Sequence, residues 1–162
     1  MKIAVISDTH IPDRANNIPK KVMDELKRAD MIIHAGDLVD LSVWEQLKSA
    51  CNNVRVVFGN MDPPEVKSKL PEKDIIVVGK YRIGVMHGYG APAKLTELLL
   101  NVFKDDHIDI IIFGHSHFGV NEKIAGILFF NPGSLTDKVF STYNSYGIIE
   151  INDKIEAKII RI

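Results

Sequence analysis

The sequence predicts an α/β fold in which two packed sheets carry helices on their outer faces. From Lys2 to Phe58, short apolar strands alternate with stretches of helical spacing, the pattern of a largely parallel sheet. From Asp74 onward hairpin patterns dominate, which calls for a mixed or antiparallel sheet. At 162 residues and 46% hydrophobic, the chain is read as one domain, residues 1–162, with a sizeable core.

Lys2 to Ile6 reads as a strand buried on both faces, and Ser7-Asp8-Thr9-His10 follows it. An Asx turn accounts for Asp8 but leaves His10 without a role. Beyond a polar loop, Ile11 to Asn17, the spacing of Val22, Met23, Leu26 and Ala29 predicts a helix from about Pro19 to Ala29. Met31 to His34 is a second strand leading to Gly36-Asp37, and His34 reads as structural, or as support for a ligand. Trp44, Leu47 and Cys51 mark the inner face of a second helix, begun by a Ser42/Glu45 capping box or by Asp40. Val54 to Phe58 is a third strand, followed by Gly59-Asn60-Met61-Asp62-Pro63-Pro64. The two prolines are expected to stop any helix there, and the charged stretch to Leu70 to lie on the surface.

Ile75 to Val78 and Arg82 to Met86 form a hairpin about Gly79-Lys80, and its second arm ends in His87-Gly88. Leu95, Leu98, Leu99, Val102 and Phe103 give a third amphipathic helix after Pro92. His107, in a charged loop before the next strand, reads as solvated surface. The run Ile108 to Phe113 is a buried strand closed by Gly114-His115-Ser116-His117. In extended backbone, residues two apart project to one side, so His115 and His117 are expected to meet one point at the strand end. Phe118 to Ile124 and Ile127 to Phe130 pair around Ala125-Gly126. A sharp turn (Asn131 to Ser134) and a loop (Lys138 to Thr142) follow. The last hairpin, Tyr146 to Ile151 and Lys154 to Ile162, alternates so as to leave one wet face.

A net charge of −1 gives no field for long nucleic acid or an anionic membrane surface. Cys51 is the one cysteine, which excludes an internal disulfide and a cysteine zinc knuckle and fits a reducing cytoplasm. No apolar run reaches the roughly 20 residues that span a bilayer, and Met1 to Ile6 lacks a signal-peptide pattern. The expectation is a cytoplasmic protein, with a homo-oligomer left open.

Five strand ends deliver metal-type side chains: Asp8 and His10, Asp37, Asn60, His87, and His115 with His117. Ligands in α/β sheets collect at the carboxyl ends of strands. Seven oxygen and nitrogen donors exceed the roughly four that a tetrahedral ion needs, so two metal sites sharing a carboxylate are the economical reading.

In order and spacing, Asp8-x-His10, Gly36-Asp37, Gly59-Asn60-x-Asp62, His87-Gly88 and Gly114-His115-x-His117 resemble the calcineurin-like metallophosphoesterase superfamily. The small size and the Gly-Asn-x-Asp variant look most like its small YfcE-like phosphodiesterase branch. The resemblance implies a four-layer α/β/β/α sandwich of two mixed sheets flanked by helices. It assigns Asp8, His10, Asp37 and His117 to one divalent ion, and Asp37, Asn60, His87 and His115 to the other. Manganese leads as the cofactor, with nickel, iron, cobalt or zinc open, because no thiolate ligand is present.

The expected reaction is phosphodiester hydrolysis: a hydroxide bridging the two metals attacks phosphorus in line, and the site keeps a charge of about +1. Asp37, Asn60 and His87 enter the catalytic set through the metals. Superfamily phosphatases often carry a His after the motif Asn as the leaving-group acid; here Met61 stands there, and Asp62 or His34 is the candidate substitute. Met61, Tyr89 and Phe118 are candidate pocket residues, and Arg14 a loop charge within reach of a substrate phosphate. The substrate is expected to be a small phosphodiester or nucleotide-like molecule, with no long nucleic acid and no membrane partner. The alternatives are a phosphomonoesterase or nucleotidase, or a non-catalytic interaction scaffold like the retromer subunit of this fold.

Overall fold

The computed structural model describes residues 1–162. Ten strands form two five-stranded sheets. The first holds β1 (Lys2–Ile6), β2 (Met31–His34), β3 (Val54–Val56), β9 (Ser145–Ile151) and β10 (Ile155–Arg161), in the order β10-β9-β1-β2-β3. The second holds β4 (Lys73–Val78), β5 (Tyr81–Met86), β6 (Ile110–Ile112), β7 (Gly119–Ile124) and β8 (Ile127–Pro132), in the order β4-β5-β6-β8-β7. β1, β2 and β3 run parallel, as the alternating half of the sequence requires. The terminal hairpin then returns antiparallel to β1, so the first sheet is mixed as well. In the second sheet β5, β6 and β8 are parallel, between antiparallel edge strands β4 and β7.

Strand alternation builds three cores. Ile3 and Val5 of β1 face the second sheet and pack with Ile83, Val85, Ile110, Ile112 and Phe130. Ala4 and Ile6 face the other way, against Val22 and Leu26 of α1 (Lys20–Leu26) and Val43 and Leu47 of α2 (Leu41–Ala50). Ile111 and Phe129 pack on Leu95 and Leu99 of α4 (Leu95–Val102), outside the second sheet. Helix, sheet, sheet and helix therefore stack as four layers, and both faces of the central strands are dry.

Three local expectations are corrected, and one alternative is decided. α1 ends at Leu26, because tight i to i+3 turns at Arg28 and Ala29 bring the chain down to Asp30, whose carboxylate accepts the Lys2 N–H at 2.7 Å. Pro64 starts a short helix, α3 (Pro64–Lys67), at a position where its missing N–H costs nothing, and Val66 and Leu70 beneath it are buried. In α2 the buried stripe is Val43 and Leu47; Trp44 stays half-buried, with the Lys48 ammonium 4.2 Å from its ring centroid. Of the two capping alternatives, Asp40 makes the bond, accepting the Ser42 N–H at 2.8 Å.

Candidate metal centre

The two sheets pack with the carboxyl ends of β1, β2, β3, β5 and β6 at one edge, and Asp8, Asp37, Asn60, His87 and His115/His117 lie just past those ends. The side chains do not arrive by strand alternation, as expected for the two pairs spaced i, i+2. β1 and β6 stop at Ile6 and Ile112, and the backbone then turns left-handed at Asp8 (φ 52°), His10 (41°), His115 (66°) and His117 (62°), as it does at Asp37 (57°). Non-glycine residues reach this region at a cost, and such strain gathers at functional sites. Glycines beside the ligands answer to space. A Cβ on Gly114 would stand 2.0 Å from Ser7 Oγ and 2.7 Å from Asp8 Oδ2, and one on Gly59 would stand 2.2 Å from Asp37 Oδ1.

Five of the seven candidates converge. Asp8 Oδ1 lies 3.2 Å from His117 Nε2, 3.8 Å from His87 Nε2 and 3.9 Å from His10 Nε2. Asp37 Oδ2 lies 3.2 Å from His87 Nε2 and 3.8 Å from His10 Nε2. Two triads have ligand atoms within 4.8 Å of one another: Asp8, His10 and His117, and Asp8, Asp37 and His87. The first lies inside one expected ligand set. The second puts Asp8 where Asn60 and His115 were expected; those two sit beside it as a pair, with His115 Nδ1 2.8 Å from Asn60 Oδ1.

Hydrogen bonds decide which imidazole atoms are available. A carbonyl or carboxylate only accepts, so the His87 Nδ1–H donates to Ala35 O (2.7 Å) and the His117 Nδ1–H to Asp137 Oδ2 (2.5 Å). In the neutral rings both Nε2 lone pairs then face the carboxylates. His115 donates from Nε2 to Gly90 O at 2.7 Å, which leaves acceptor facing acceptor at Asn60. Asp8 Oδ1 and His87 Nε2 are fully buried and without any hydrogen-bond partner. Buried orphans of this kind are rare, and a cation between them satisfies both. The donor set therefore fits divalent metal, and its oxygen and imidazole character suits hard to borderline ions.

The protein alone compensates by holding protons. Burial pulls the His87 pKa down, but Asp8 and Asp37 outweigh it and push it up to about 9. His117 likewise rises to about 9 against its burial, through Asp8 and Asp137. Burial works to raise the Asp8 pKa, yet His87, His117 and the Ser7 hydroxyl (2.6 Å from Oδ2) hold it below the usual carboxylate range. His34 is not part of this cluster: it accepts the Gly36 N–H at Nδ1, its Nε2 lies 3.0 Å from Thr9 Oγ1, and burial drives its pKa down to about 3. With Nδ1 accepting, its one proton sits on Nε2 and is given to Thr9 Oγ1 and not to a substrate.

Asp62 is also turned away from chemistry. Its Oδ2 accepts the N–H of Asp37 (3.0 Å) and of Gly59 (2.7 Å), its Oδ1 accepts that of Val39 (2.6 Å), and it is buried behind the ligands. Burial raises its pKa, but its three accepted N–H groups clasp the β2 and β3 loops together, which supports a positioning role over that of the expected acid. Removing a buried carboxylate that accepts three N–H groups should cost on the order of 3 kcal/mol. Asp62→Ala is accordingly expected to lower the unfolding midpoint and to slow substrates with good and poor leaving groups alike. A loss confined to poor leaving groups, measured across an ester series, would return Asp62 to the role of acid.

A cleft of about 600 Å³ opens over the cluster, lined by His10, Asp37, Asn60, His115 and His117 within and by Asp13, Arg14, Met61, Pro92, Ser116, Phe118 and Phe140 around them. Met61 and Phe118 are pocket residues as expected. Tyr89 instead lines a smaller pocket with Phe58, Lys67 and Glu72, which the candidate ligands Asn60 and His87 also line. Sequence reasoning missed three supporting residues. Asp137 orients His117, Ser7 bonds Asp8, and buried Asn131 donates to Gly114 O (2.8 Å), pinning the histidine loop from the second sheet. Asn131 stood in a recognised turn; Asp137 and Ser7 had no signal of their own.

The model of the calcineurin-like phosphoesterase superfamily domain matches residues 1–154. The chain belongs to the calcineurin-like phosphoesterase superfamily. Among its superfamily relatives, a probable metallophosphoesterase of Methanocaldococcus jannaschii is 39% identical over 163 aligned positions, covering 100% of this chain and 82% of the relative. Vacuolar protein sorting-associated protein 29 of Schizosaccharomyces pombe is 34% identical over 139 positions, covering 84% of this chain and 73% of that one. The crystal structure of the Entamoeba histolytica Vps29 complexed with Zn²⁺ superimposes with a TM-score of 0.78 at 27% identity, covering 99% of each chain. The four-layer sandwich anticipated from the motifs is thus the superfamily fold. No helix is long and apolar enough to cross a membrane.

Proposed function

We propose that this chain is a metal-dependent phosphodiesterase that acts on small diesters with two divalent ions, manganese first among the candidates. The observation that carries the reading is the buried pair of orphans, Asp8 Oδ1 and His87 Nε2, at the point where five strand ends converge. Asp8, His10, Asp37 and His117 would hold one ion. Asp37, Asn60, His87 and His115 would hold the other, with the Asn60 and His115 pair drawn in beside His87. Such ions supply Lewis acidity toward a phosphoryl oxygen and lower the pKa of water by several units.

The chain's own residues do the rest. Ala35 O and Asp137 fix the His87 and His117 rings so that Nε2 points inward. Asp62 keeps the Asp37 and Asn60 loops in register. The cleft admits a phosphate and a substituent. Met61, 61% exposed at its rim, has no proton to give a departing alkoxide.

The missing acid defines the test. General acid assistance contributes about 10²–10⁴-fold, so a site without it should favour leaving groups already stable as anions. Aryl phosphodiesters are expected to turn over fast and simple alkyl monoesters slowly, measured as a leaving-group series at saturating Mn²⁺ beside metal analysis of the purified protein. A preference for alkyl monoesters would overturn the diesterase reading in favour of a phosphomonoesterase. The likeness to the vacuolar sorting proteins favours a second reading, a scaffold whose surface serves protein contacts, and that reading requires no turnover with any divalent ion.

A further inference from the structure

Resting on the diesterase reading, we propose that Arg14 is a specificity residue that binds a second oxyanion, carboxylate or phosphate, on a substituent of the substrate away from the reacting phosphorus. Arg14 is the one Lys or Arg side chain lining the cleft. Arg28, Arg55 and Lys73 pair with carboxylates elsewhere on the molecule, whereas Arg14 has no ion-pair partner, Asp13 beside it included.

Its place is set from both sides. The Arg14 N–H donates to His10 O at 2.7 Å, a tight turn that ties its backbone to the metal cluster. Its guanidinium carbon stands 5.7 Å from the Phe140 ring centroid, and that ring lies 6.2 Å from the His117 ring. Phe140 is held in turn at its backbone, where its N–H and that of Val139 donate to Asp137, the carboxylate that orients His117.

No hydrogen bond or ion pair joins the guanidinium to the ligand cluster, and Phe140 is the ring that both it and His117 approach. Arg14 therefore meets a charge carried on an arm of the diester, with the Phe140 face as the apolar wall under that arm. A planar guanidinium fork beside an aromatic ring suits bidentate recognition of carboxylate or phosphate, and such charge-assisted pairs are the strong ones. Asp13 on the same rim disfavours an arm whose charge is misplaced.

The test uses the Mn²⁺-loaded protein and two readouts. The first is titration with three non-hydrolysable phosphinates: phenyl(2-carboxyethyl)phosphinate, its carboxamide and its 2-phosphonoethyl analogue. The two charged probes are expected to bind about tenfold more tightly than the carboxamide. Arg14→Ala should erase that ratio, Arg14→Lys should keep part of it, and His107→Ala should keep all of it. The carboxylate and phosphonate probes show which oxyanion is preferred. The second readout is the ratio of kcat/KM for matched aryl diesters with and without a carboxylate on the retained arm, which should collapse in the same variant. Equal binding to the wild type of phosphinates with and without the second charge, or an unchanged ratio in Arg14→Ala, overturns the assignment. If no diester is hydrolysed with any ion, the diesterase reading falls, while the titration still decides whether Arg14 takes an oxyanion.

Discussion

Asp37→Ala is expected to remove bound metal and phosphoester hydrolysis together, with kcat/KM for an activated aryl diester falling on the order of 10³-fold or more. Asp37 is the candidate shared by the two proposed ligand sets. Its Oδ2 faces His87 and His10, and its Oδ1 accepts the Met61 N–H at 2.8 Å, so one side chain meets both the ions and the Asn60 loop. Loss of that N–H bond alone would disturb the loop, and Asp37→Asn separates the effects because its amide oxygen keeps the bond and loses the charge. Metal content by elemental analysis, turnover and thermal unfolding should show Asp37→Asn folded but stripped. Retention of full metal and activity by Asp37→Ala would end the two-ion assignment.

The second large effect is a contrast among histidines. His87→Ala and His117→Ala should each abolish metal-dependent turnover, whereas His107→Ala should match the wild type. His87 and His117 point their Nε2 atoms into the cluster from rings anchored behind by Ala35 and Asp137. His107 is exposed, in the loop that enters β6, at the opposite end of that strand from His115 and His117. Metal stoichiometry and aryl diester turnover on the three proteins decide the matter. Equal damage from all three would point to a disturbed fold.

Layers and strands were legible in the sequence because burial on both faces writes itself as unbroken apolar runs, as in Ile110-Ile111-Ile112, and a wet face writes itself as alternation, as in β10. The Glu156-Ala157-Lys158 stretch pairs beside β1 only through β9, and nothing local in it says which sheet it will join. Ligand types were legible for a different reason: His and Asp directly after an apolar run have no packing purpose. Their directions were not. A strand rule was applied to residues that lie past the strand, where left-handed backbone re-aims every side chain. Asp62 and Asp137 show the same limit. A carboxylate that serves backbone N–H groups or orients a ring is indistinguishable in sequence from one that meets a substrate, since its deciding partners (Asp37 and Val39 for Asp62, His117 for Asp137) come from 20 or more residues away.

The left-handed backbone at Asp8, His10, Asp37, His115 and His117 also bears on how this protein tolerates change. Each such residue costs about 1 kcal/mol relative to a residue at ease there, and glycine is the residue most at ease. At the partly exposed His115, which no buried carboxylate relies on, replacement by glycine would relieve backbone strain at small loss of packing. Selection for heat resistance alone, without demand for turnover, therefore pushes against the ligands first. The apolar layers and the reactive edge answer to opposing pressures, and a route to a tougher version of this molecule runs through the loss of its chemistry.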